Sequence, residues 1–258
     1  MQDKDPARSV AGLTAIVTGA GSGMGRATAE VFARDGANVA LCDINGEAVE
    51  KVAAAIRAAG GSAQAWPLDI TDRGALEAFV ADVAARFGGI DVVVNNAGIA
   101  SATPLEDPNY DAVWDRTIAV LLTSHQRMIR AALPWLRKSK SPRIVNIAST
   151  EALGATLHQS AYSAAKAGVT GLTRSLAVEF GKEGITVNCI CPGPILTGMT
   201  AAISDEHKEL YAKRRTALRR YGAPEEVAHM TLSLCLPAAS FLTGATIPVD
   251  GGLMARNA

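Results

Sequence analysis

The sequence has no excess of charge of either sign. Its 258 residues carry 25 basic and 25 acidic side chains, so the formal net charge is zero. Binding to nucleic acid depends on a basic excess that displaces counterions from phosphates. We therefore expect no nucleic-acid partner.

Long apolar runs are also missing. No window approaches the roughly 20 apolar residues of a membrane-spanning helix. The chain starts with Met1-Gln2-Asp3-Lys4-Asp5, which is charged where a signal peptide would be apolar. We expect no membrane partner and a cytoplasmic location.

Cysteine is scarce. The chain contains Cys42, Cys189, Cys191 and Cys235. Their positions match neither a metal site nor a disulfide framework, so we expect no metal and free thiols in a reducing compartment. Cys189 and Cys191 lie in a strand pattern, and we expect their side chains on opposite faces of that strand.

What the sequence does have is a regular alternation of two patterns. Short β-branched apolar runs alternate with longer amphipathic stretches, which predicts a parallel sheet with right-handed crossovers and helices on both faces. No linker or composition shift divides the chain, so we expect a single domain over residues 1–258. The predicted strands are 14–18, 38–42, 64–68, 90–95, 143–148, 185–190 and 245–249, and the main predicted helices are 25–34, 47–59, 73–87, 113–133 and 162–180.

Two stretches interrupt this alternation after predicted strands. Residues 99–109 contain two prolines and are predicted to form a loop. Residues 192–220 form a longer interruption, in which Ser204 is predicted to cap a helix that runs through Ala217. Long connections are usually lids or binding loops, and ligands of doubly wound sheets bind beyond the carboxyl ends of the strands. We therefore expect a substrate lid near 194–220.

A glycine-rich turn follows the first predicted strand. Its sequence is Thr18-Gly19-Ala20-Gly21-Ser22-Gly23-Met24-Gly25, and a helix begins at once. Glycines allow the backbone to approach a ligand closely, and the unpaired N–H groups of the helix then face a pyrophosphate. An ordinary β–α turn is the alternative, but the position in the first β–α unit favours dinucleotide binding. The expected contacts are Gly19, Ser22, Gly23, Met24 and Gly25.

Acidic residues follow the next two predicted strands. Asp43, 18 residues beyond Gly25, is placed to accept both hydroxyls of an adenosine ribose and to repel a 2′-phosphate, which favours NAD over NADP. The alternative is that Asp43 only caps the turn at Asn45. Asp69, with Ile70, is similarly placed for the adenine, and capping of the helix after Thr71 is the competing explanation.

A tyrosine and a lysine share one face of a predicted helix. Tyr162 and Lys166 are four residues apart. A phenol has a pKa near 10, and a nearby ammonium lowers it by favouring the phenolate. Such a pair can exchange a proton with an alcohol or carbonyl near neutral pH. This spacing alone is also typical of a solvated helix face, so the rest of the chain has to decide.

Over essentially its whole length, the sequence resembles the short-chain dehydrogenase/reductase family. The resemblance implies a Rossmann-like α/β fold, with a doubly wound parallel sheet of about seven strands in three α/β/α layers. It also implies hydride transfer between a nicotinamide and a carbinol carbon. The motifs that carry it are Thr18-Gly19-x-x-x-Gly23-x-Gly25, Asn95-Asn96-Ala97-Gly98, Ser149, Tyr162-x-x-x-Lys166, Pro192-Gly193 and Asp250-Gly251-Gly252.

The resemblance also implies roles for individual residues. Ser149 would hydrogen-bond the substrate oxygen, and Tyr162 would be the general acid/base. Lys166 would bind the nicotinamide ribose and lower the pKa of the tyrosine. Further cofactor contacts are implied for Asn96, Ala97 and Gly98 on the adenine-ribose side, for Pro192 and Gly193, and for Ile195 and Thr197 at the carboxamide.

One position departs from the family pattern. Leu121 stands seven residues after Trp114, where members commonly have asparagine. In the family, the backbone carbonyl of that residue anchors a water that links the lysine to solvent, and its side chain steadies a helix distortion. Leucine keeps the carbonyl but loses the side-chain hydrogen bond. We expect the proton relay to survive by a modified route.

The function we predict is hydride transfer between NAD(H) and a secondary alcohol or ketone. The alternatives are an NADP(H)-dependent carbonyl reductase of 3-oxoacyl type and a noncatalytic NAD sensor. The candidate substrate contacts are Glu151, His158 and Met199, although simple exposure on a loop is favoured for His158. By family analogy, the helices at 113–133 and 162–180 imply a homotetramer. The lid region is basic, which is typical of a solvated helix face and would also suit an anionic substrate. Its basic residues are Lys213, Arg214, Arg215, Arg219 and Arg220.

Overall fold

Seven strands form one parallel sheet in the computed structural model, which describes residues 5–256 of the chain. The strand order is β3-β2-β1-β4-β5-β6-β7, so the winding direction reverses between β1 and β4. The predicted α/β fold with a doubly wound parallel sheet is therefore confirmed. The bounds are β1 Thr14–Thr18, β2 Asn38–Asp43, β3 Ser62–Pro67, β4 Val92–Asn95, β5 Arg143–Ile147, β6 Thr186–Pro192 and β7 Thr246–Val249.

Helices cover both faces of this sheet. Because the central strands are buried on both sides, they consist of consecutive apolar residues, as in Val92, Val93 and Val94, which are fully buried. Within residues 5–256, no helix is long and apolar enough to cross a membrane. The bounds are α1 Gly23–Arg34, α2 Gly46–Ala58, α3 Arg73–Phe87, α4 Tyr110–Ile118, α5 Ser124–Leu136, α6 Ser160–Phe180, α7 Asp205–Arg215 and α8 Pro224–Cys235.

Two apolar cores separate the helices into layers. On one face, Phe32 of α1, Val49 of α2 and Val227 of α8 pack against the sheet. On the other face, Leu76 of α3 and Met128 of α5 do the same, together with residues of α6. The result is the predicted three-layer α/β/α arrangement, with the carboxyl ends of the strands open at one edge.

The predicted ends of the strands differ from the observed ends by at most two residues. β3 begins at Ser62 rather than residue 64, and β4 begins at Val92 rather than residue 90. β6 continues to Pro192 because its last residues pair with Pro248 and Val249 of β7. This extension places the loop after β6 directly above the edge of the sheet.

The helix predicted over 113–133 contains a distortion. One π-helical turn, Ala119–Thr123, joins α4 to α5. Leu121 lies in this turn, fully buried beside Gly98. The hydroxyl of Ser124 donates to the Val120 carbonyl at 2.6 Å and so satisfies one acceptor of the widened turn. The distortion thus exists here without an asparagine side chain at position 121.

The helix in the long connection ends earlier than predicted. Ser204 caps α7 as expected, accepting from the backbone N–H of His207 at 3.3 Å. The prediction that the helix runs through Ala217 was wrong. The helix ends at Arg215 because the next residue, Thr216, has an extended backbone, and that residue is fully buried.

The two cysteines of β6 point to the same face, so the expectation of opposite faces was wrong. Side chains alternate along a strand, and residues two positions apart therefore point the same way. Both thiols are buried and pack with Ala148 and Val169. The Cys189 thiol donates to the Ile190 carbonyl at 3.7 Å. This thiol pair, Cys189 and Cys191, lies near the carboxyl end of β6.

The packing of α3 on the sheet has a measurable consequence. Leu76 is fully buried, and we expect Leu76→Ala to lower the free energy of unfolding by about 2–5 kcal/mol, because it removes apolar contacts and leaves a cavity. Leu105, which is 75% exposed, is the matched control, and Leu105→Ala should change stability by less than about 0.5 kcal/mol. Urea unfolding at one fixed protein concentration compares them. Equal losses in the two variants would contradict the described core.

Candidate active site

The carboxyl ends of β1 and β4 meet where the winding reverses, and one side chain joins them. The Thr18 hydroxyl accepts from the backbone N–H groups of Asn96 and Ala97, both at 2.9 Å. The Asn96 side-chain amide in turn donates to the Thr18 carbonyl at 2.9 Å. Ligands of doubly wound sheets bind at such a reversal. The glycine turn and the predicted segment 96–98 therefore border one cleft.

Two glycines of the turn are required by close approach of the backbone. A Cβ on Gly25 would lie 2.1 Å from the Gly19 carbonyl oxygen, and one on Gly19 would lie 2.7 Å from Ala97 Cα. Gly23 begins α1 with a φ of +51°, in the left-handed region that favours glycine. A residue with a Cβ at position 19 or 25 would therefore clash, and a residue other than glycine at position 23 would be strained.

The N-terminus of α1 suits an anionic ligand. Ser22 precedes α1, but its side chain makes no capping hydrogen bond, and the first turn contains no acidic residue. The N–H groups of that turn are thus left for an anion, which the helix dipole favours. Met24 packs partly on the apolar core and anchors the turn. The cradle fits the pyrophosphate of a dinucleotide.

Asp43 ends β2 beside the glycine turn, and its two oxygens have different partners. One accepts from the Gly21 N–H at 3.0 Å and the other from the Asn45 N–H at 2.9 Å. Asp43 therefore shapes the turn into α2, as the alternative interpretation expected, and it also lines a cleft of about 110 Å³ beside Gly19. A carboxylate at this edge suits ribose hydroxyls.

Asp69 and Ile70 line the same cleft. One Asp69 oxygen accepts from the N–H and the hydroxyl of Thr71, at 2.9 and 2.7 Å. These hydrogen bonds, led by that of the Thr71 hydroxyl, lower the pKa of Asp69. The cap of α3 is Asp72, which accepts from the Ala75 N–H at 3.0 Å. The competing explanation of Asp69 as the helix cap is therefore wrong.

Ser149 and Tyr162 come together at the end of the sheet. Ser149 follows β5, and Tyr162 lies in the first turn of α6. Burial is the largest influence on the phenol and raises its pKa, while a hydrogen bond with Ser149 lowers it and the charge of Glu151 raises it further. In the cofactor-free protein, burial therefore outweighs the lowering of the Tyr162 pKa that we expected from the sequence.

Lys166 carries a buried charge one helical turn beyond Tyr162. Its side chain is 3% exposed, its Nζ donates to the Ile147 carbonyl at 2.8 Å, and Nζ lies 5.7 Å from the centre of the Tyr162 ring. Burial lowers the pKa of Lys166 to about 8, against the opposing influence of Cys189 and Cys191. Ser149, Tyr162 and Lys166 thus form one cluster.

The loop after β6 closes over the cleft. A Cβ on Gly193 would lie 2.7 Å from Asp250 Cα, which explains why the motifs at 192–193 and 250–252 occur together. Thr197 lies against Gly23, since a Cβ on that glycine would be 3.3 Å from Thr197 Cβ. The Ile195 side chain is buried in the apolar core, so only its backbone is available to a ligand.

A second cavity of about 430 Å³ opens beside Ser149 and Tyr162. Of the predicted substrate contacts, Glu151 and Met199 line it. His158 is not among its lining residues and is exposed on a loop with a φ of +64°, which is the alternative that the sequence analysis favoured over a substrate contact. The lining residues that sequence reasoning missed are Gln159, Ile203, His207, Tyr211 and Tyr221.

Glu151 is the charged side chain nearest the reacting end of this cavity. Its carboxylate accepts from the hydroxyls of Thr156 and Ser163 at 2.7 and 3.2 Å, which fix its orientation. No lysine or arginine is among the described residues that line the cavity. Lys213 pairs with Glu209, and Arg220 pairs with Glu226, outside it.

Comparison with known protein families shows to which family this chain belongs. The family model described as enoyl-(acyl carrier protein) reductase matches residues 19–254. The chain belongs to the short-chain dehydrogenase/reductase family. Among curated relatives of the family, meso-2,3-butanediol dehydrogenase from Serratia marcescens is 40% identical and covers 94% of each chain. The 3-oxoacyl-acyl-carrier-protein reductase from Thermotoga maritima is 36% identical over 94% of this chain and 98% of its own.

A solved structure of the family has the same fold. The crystal structure of a dehydrogenase/reductase from Sinorhizobium meliloti superimposes with a TM-score of 0.90, 38% sequence identity and 98% coverage of both chains. This protein is therefore an oxidoreductase of the short-chain dehydrogenase/reductase family, a family that uses nicotinamide cofactors. The cleft beside Gly19 and Asp43 fits such a cofactor.

The buried ammonium of Lys166 should weaken the fold of the cofactor-free protein. Because the pKa of Lys166 is below its unfolded value, the folded state is penalised at neutral pH, and this penalty falls as pH rises from about 8 towards 10. We expect Lys166→Met to raise the free energy of unfolding by about 1–3 kcal/mol at neutral pH. The gain should disappear near pH 10, as measured by urea unfolding.

The exposed Lys182 provides the matched control. Lys182→Met should leave stability within about 0.5 kcal/mol of the wild-type value at both pH values. A gain for Lys166→Met that does not depend on pH would contradict a buried charge at this position.

Proposed function

We propose that this protein is an NAD-dependent dehydrogenase that interconverts a neutral secondary alcohol and its ketone. The observation that carries the proposal is the cluster of Ser149, Tyr162 and Lys166, of which Ser149 and Tyr162 line the second cavity. These residues supply a hydroxyl, a phenol and an ammonium, a set of groups that can exchange a proton with an alcohol oxygen.

NAD would occupy the cleft at the carboxyl ends of the strands. The pyrophosphate would lie on the N–H groups of α1, with the adenosine ribose at Asp43 and the adenine near Asp69 and Ile70. The nicotinamide half would reach Tyr162 and Lys166. The remaining contacts would come from Gly19, Ser22, Gly23, Met24 and Gly25, from Asn96, Ala97 and Gly98, and from Pro192, Gly193, Ile195 and Thr197.

A bound oxidised nicotinamide would supply the acceptor for the hydride that leaves the carbinol carbon. In alcohol oxidation Ser149 holds the substrate oxygen, and the Tyr162 phenolate accepts its proton. In ketone reduction Tyr162 returns that proton to the oxygen. Burial raises the pKa of the Tyr162 phenol in the cofactor-free protein. In the reaction, the nearby ammonium of Lys166 would act in the opposite direction by favouring the phenolate.

The composition of the second cavity supports a neutral substrate with more than one hydroxyl. The carboxylate of Glu151 would repel an anion, and Gln159 lines the cavity with an Oε1 that has no hydrogen-bond partner within residues 5–256. The phenol of Tyr211 adds a further hydrogen-bonding group. The relative that acts on butanediol is consistent with a diol.

The segment 194–220 is proposed to act as the lid. Both ends are held together, because Leu196 N–H donates to the Gly222 carbonyl and Gly222 N–H to the Pro194 carbonyl, both at 2.9 Å. Between them, Met199 and Ile203 line the cavity while remaining 54% and 40% exposed. Closure on a substrate would cover these apolar side chains.

A homotetramer is proposed as the assembly, with a small molecule as the only other partner. Val178 on α6 is 83% exposed, and Phe241 before β7 is fully exposed. Large apolar side chains in such positions favour contacts with another copy of the chain.

A second candidate is an NADP-dependent reductase of 3-oxoacyl groups on acyl carrier protein. The relative from Thermotoga maritima favours it. Asp43 disfavours it, because a carboxylate repels the 2′-phosphate of NADP, and Glu151 disfavours anionic carriers. A noncatalytic NAD sensor would bind the cofactor without turnover.

A substrate panel tests the proposed reaction. We expect NADH formation with secondary alcohols and vicinal diols, lower turnover with hydroxy acids, and a loss of roughly 100- to 10,000-fold in kcat for Tyr162→Phe because the proton acceptor is removed. Each substrate is measured with NAD and NADP in parallel. Quenching of tryptophan fluorescence by NADH without turnover of any substrate would instead identify a sensor.

The choice of cofactor should depend on Asp43. Asparagine keeps the size of the side chain and removes the charge, so Asp43→Asn should lower the ratio of kcat/KM for NAD to that for NADP by about 10- to 100-fold. Asp72→Asn is the matched control, because Asp72 is exposed outside the cleft. An unchanged ratio in Asp43→Asn would count against the ribose contact.

A further inference from the structure

Arg116 is a cation in the dinucleotide cleft that the proposed function does not use. It lies in the last turn of α4 and lines the cleft of about 110 Å³ together with Asp43 and Asp69. Among the described residues that line this cleft, Arg116 supplies the positive charge. Its side chain is 48% exposed, so it is not part of the apolar core. Its contacts show which of the two carboxylates it serves.

The hydrogen bonds of Arg116 lead to Asp69. Its Nη1 donates to the Thr71 hydroxyl at 3.2 Å. That hydroxyl donates to Asp69 Oδ1 at 2.7 Å, and the Thr71 N–H donates to the same oxygen at 2.9 Å. A continuous hydrogen-bonded chain therefore runs from the guanidinium to the carboxylate. This chain fixes the orientation of the Asp69 side chain.

The two carboxylate oxygens of Asp69 have different surroundings. Oδ1 accepts both hydrogen bonds from Thr71, whereas Oδ2 accepts none from residues 5–256. Oδ2 lies 3.8 Å from Arg116 Nη1, which is too long for a hydrogen bond but close enough for an ion pair. The hydrogen bonds of Thr71, and to a smaller extent the Arg116 charge, lower the pKa of Asp69. Oδ2 is thus an ionised, charge-balanced acceptor with lone pairs to spare.

A second arginine holds the same loop without facing the cleft. Arg127 of α5 donates through Nη1 to the Thr71 carbonyl at 2.9 Å, and it is not among the lining residues of the cleft. The two arginines lie on either side of the π turn 119–123 and so approach Thr71 from α4 and from α5. Anchoring of the loop is therefore shared, while the charge beside Asp69 comes from Arg116.

The remaining walls of the cleft suit a flat base. They are apolar and come from Ile44, Leu68 and Ile70. Apolar walls accept the face of any base, so discrimination between bases depends on the polar groups at the edge. Adenine carries an amino group where hypoxanthine carries an oxygen. An ionised acceptor such as Asp69 Oδ2 would bind the amino group and repel the oxygen.

We propose that Arg116 is a positioning residue that holds Asp69 with Oδ2 free to accept from the amino group of adenine. It thereby makes the cleft selective for an adenine dinucleotide over its hypoxanthine counterpart. The guanidinium does this through the Thr71 hydroxyl and through its charge beside Oδ2. The proposal rests on the proposed function, because that function places the adenosine half of the cofactor in this cleft.

The ratio of two dissociation constants tests this role without turnover. Calorimetry of the full chain compares NAD with nicotinamide hypoxanthine dinucleotide. We expect the wild-type protein to prefer NAD by about 10- to 100-fold, the range for a hydrogen bond to a charged acceptor. Arg116→Met should reduce this preference to within about threefold. Arg127→Met is the matched control and should keep the preference, because it loosens the same loop but leaves the charge beside Asp69.

A double variant tests whether Arg116 acts through Asp69. Asp69→Asn removes the charge of the acceptor and should by itself abolish most of the preference for NAD. If Arg116 works by positioning Asp69, adding Arg116→Met to Asp69→Asn should change the remaining preference by less than about twofold. Losses that multiply in the double variant would show that the guanidinium acts on the base directly, and they would overturn the positioning role.

The other outcomes also decide. Equal weakening of both dinucleotides in Arg116→Met, or an unchanged preference, would overturn the proposal, as would a wild-type protein that binds both equally. A selective loss of NADP binding would overturn it as well, by showing that Arg116 is a phosphate contact. If Arg116→Met does not fold, Arg116→Gln replaces it, since glutamine keeps a donor for Thr71 and lacks the charge, and the same loss of preference is expected.

The measurements keep this proposal separate from the proposed function. A wild-type protein that does not bind NAD would reject the proposed cofactor and the role of Arg116 together. Binding of NAD without turnover of any alcohol would reject the dehydrogenase alone, because the ratio of dissociation constants still tests Arg116. Turnover with NAD and an unchanged ratio in the Arg116 variants would reject the role of Arg116 alone.

Discussion

The hydroxyl of Thr18 is the contact on which the active-site cleft depends. It accepts two backbone N–H groups from the residues after β4, and so fixes the separation of the two strands at which the sheet reverses its winding. The segment 96–98 is thereby brought against the glycine turn, leaving no room for a Cβ on Gly19. The need for glycine, the open N-terminus of α1 and the cleft beside Asp43 all follow from this approach.

The other constraint is electrostatic. The protein keeps an ammonium almost fully buried under the sheet edge, against one carbonyl and two thiols, although burial disfavours its charge. Burial also raises the pKa of the Tyr162 phenol, one helical turn before Lys166. In the proposed function the ammonium would favour the phenolate, so the charge that weakens the cofactor-free fold is the one that the reaction would use.

Much of this arrangement could be predicted from the sequence because the signals are local. Consecutive apolar residues indicate strands buried on both faces, and the glycine turn follows the first strand directly. The order of the motifs placed Ser149, Tyr162 and Lys166 on the elements where the structure has them. One prediction was wrong where burial decides: α7 ends at Arg215 because Thr216, which is fully buried, has an extended backbone, and the sequence pattern does not show that burial.

The layered parallel fold, the glycine turn and the identity of the polar residues at the ends of the strands can be predicted from the amino-acid sequence alone. These depend on side-chain periodicity and on steric rules that act over a few residues. The lining of the second cavity depends on tertiary contacts, since Gln159 precedes α6 whereas His207 and Tyr211 come from α7. Packing between segments far apart in the chain sets these contacts, and no local pattern encodes the distance between them.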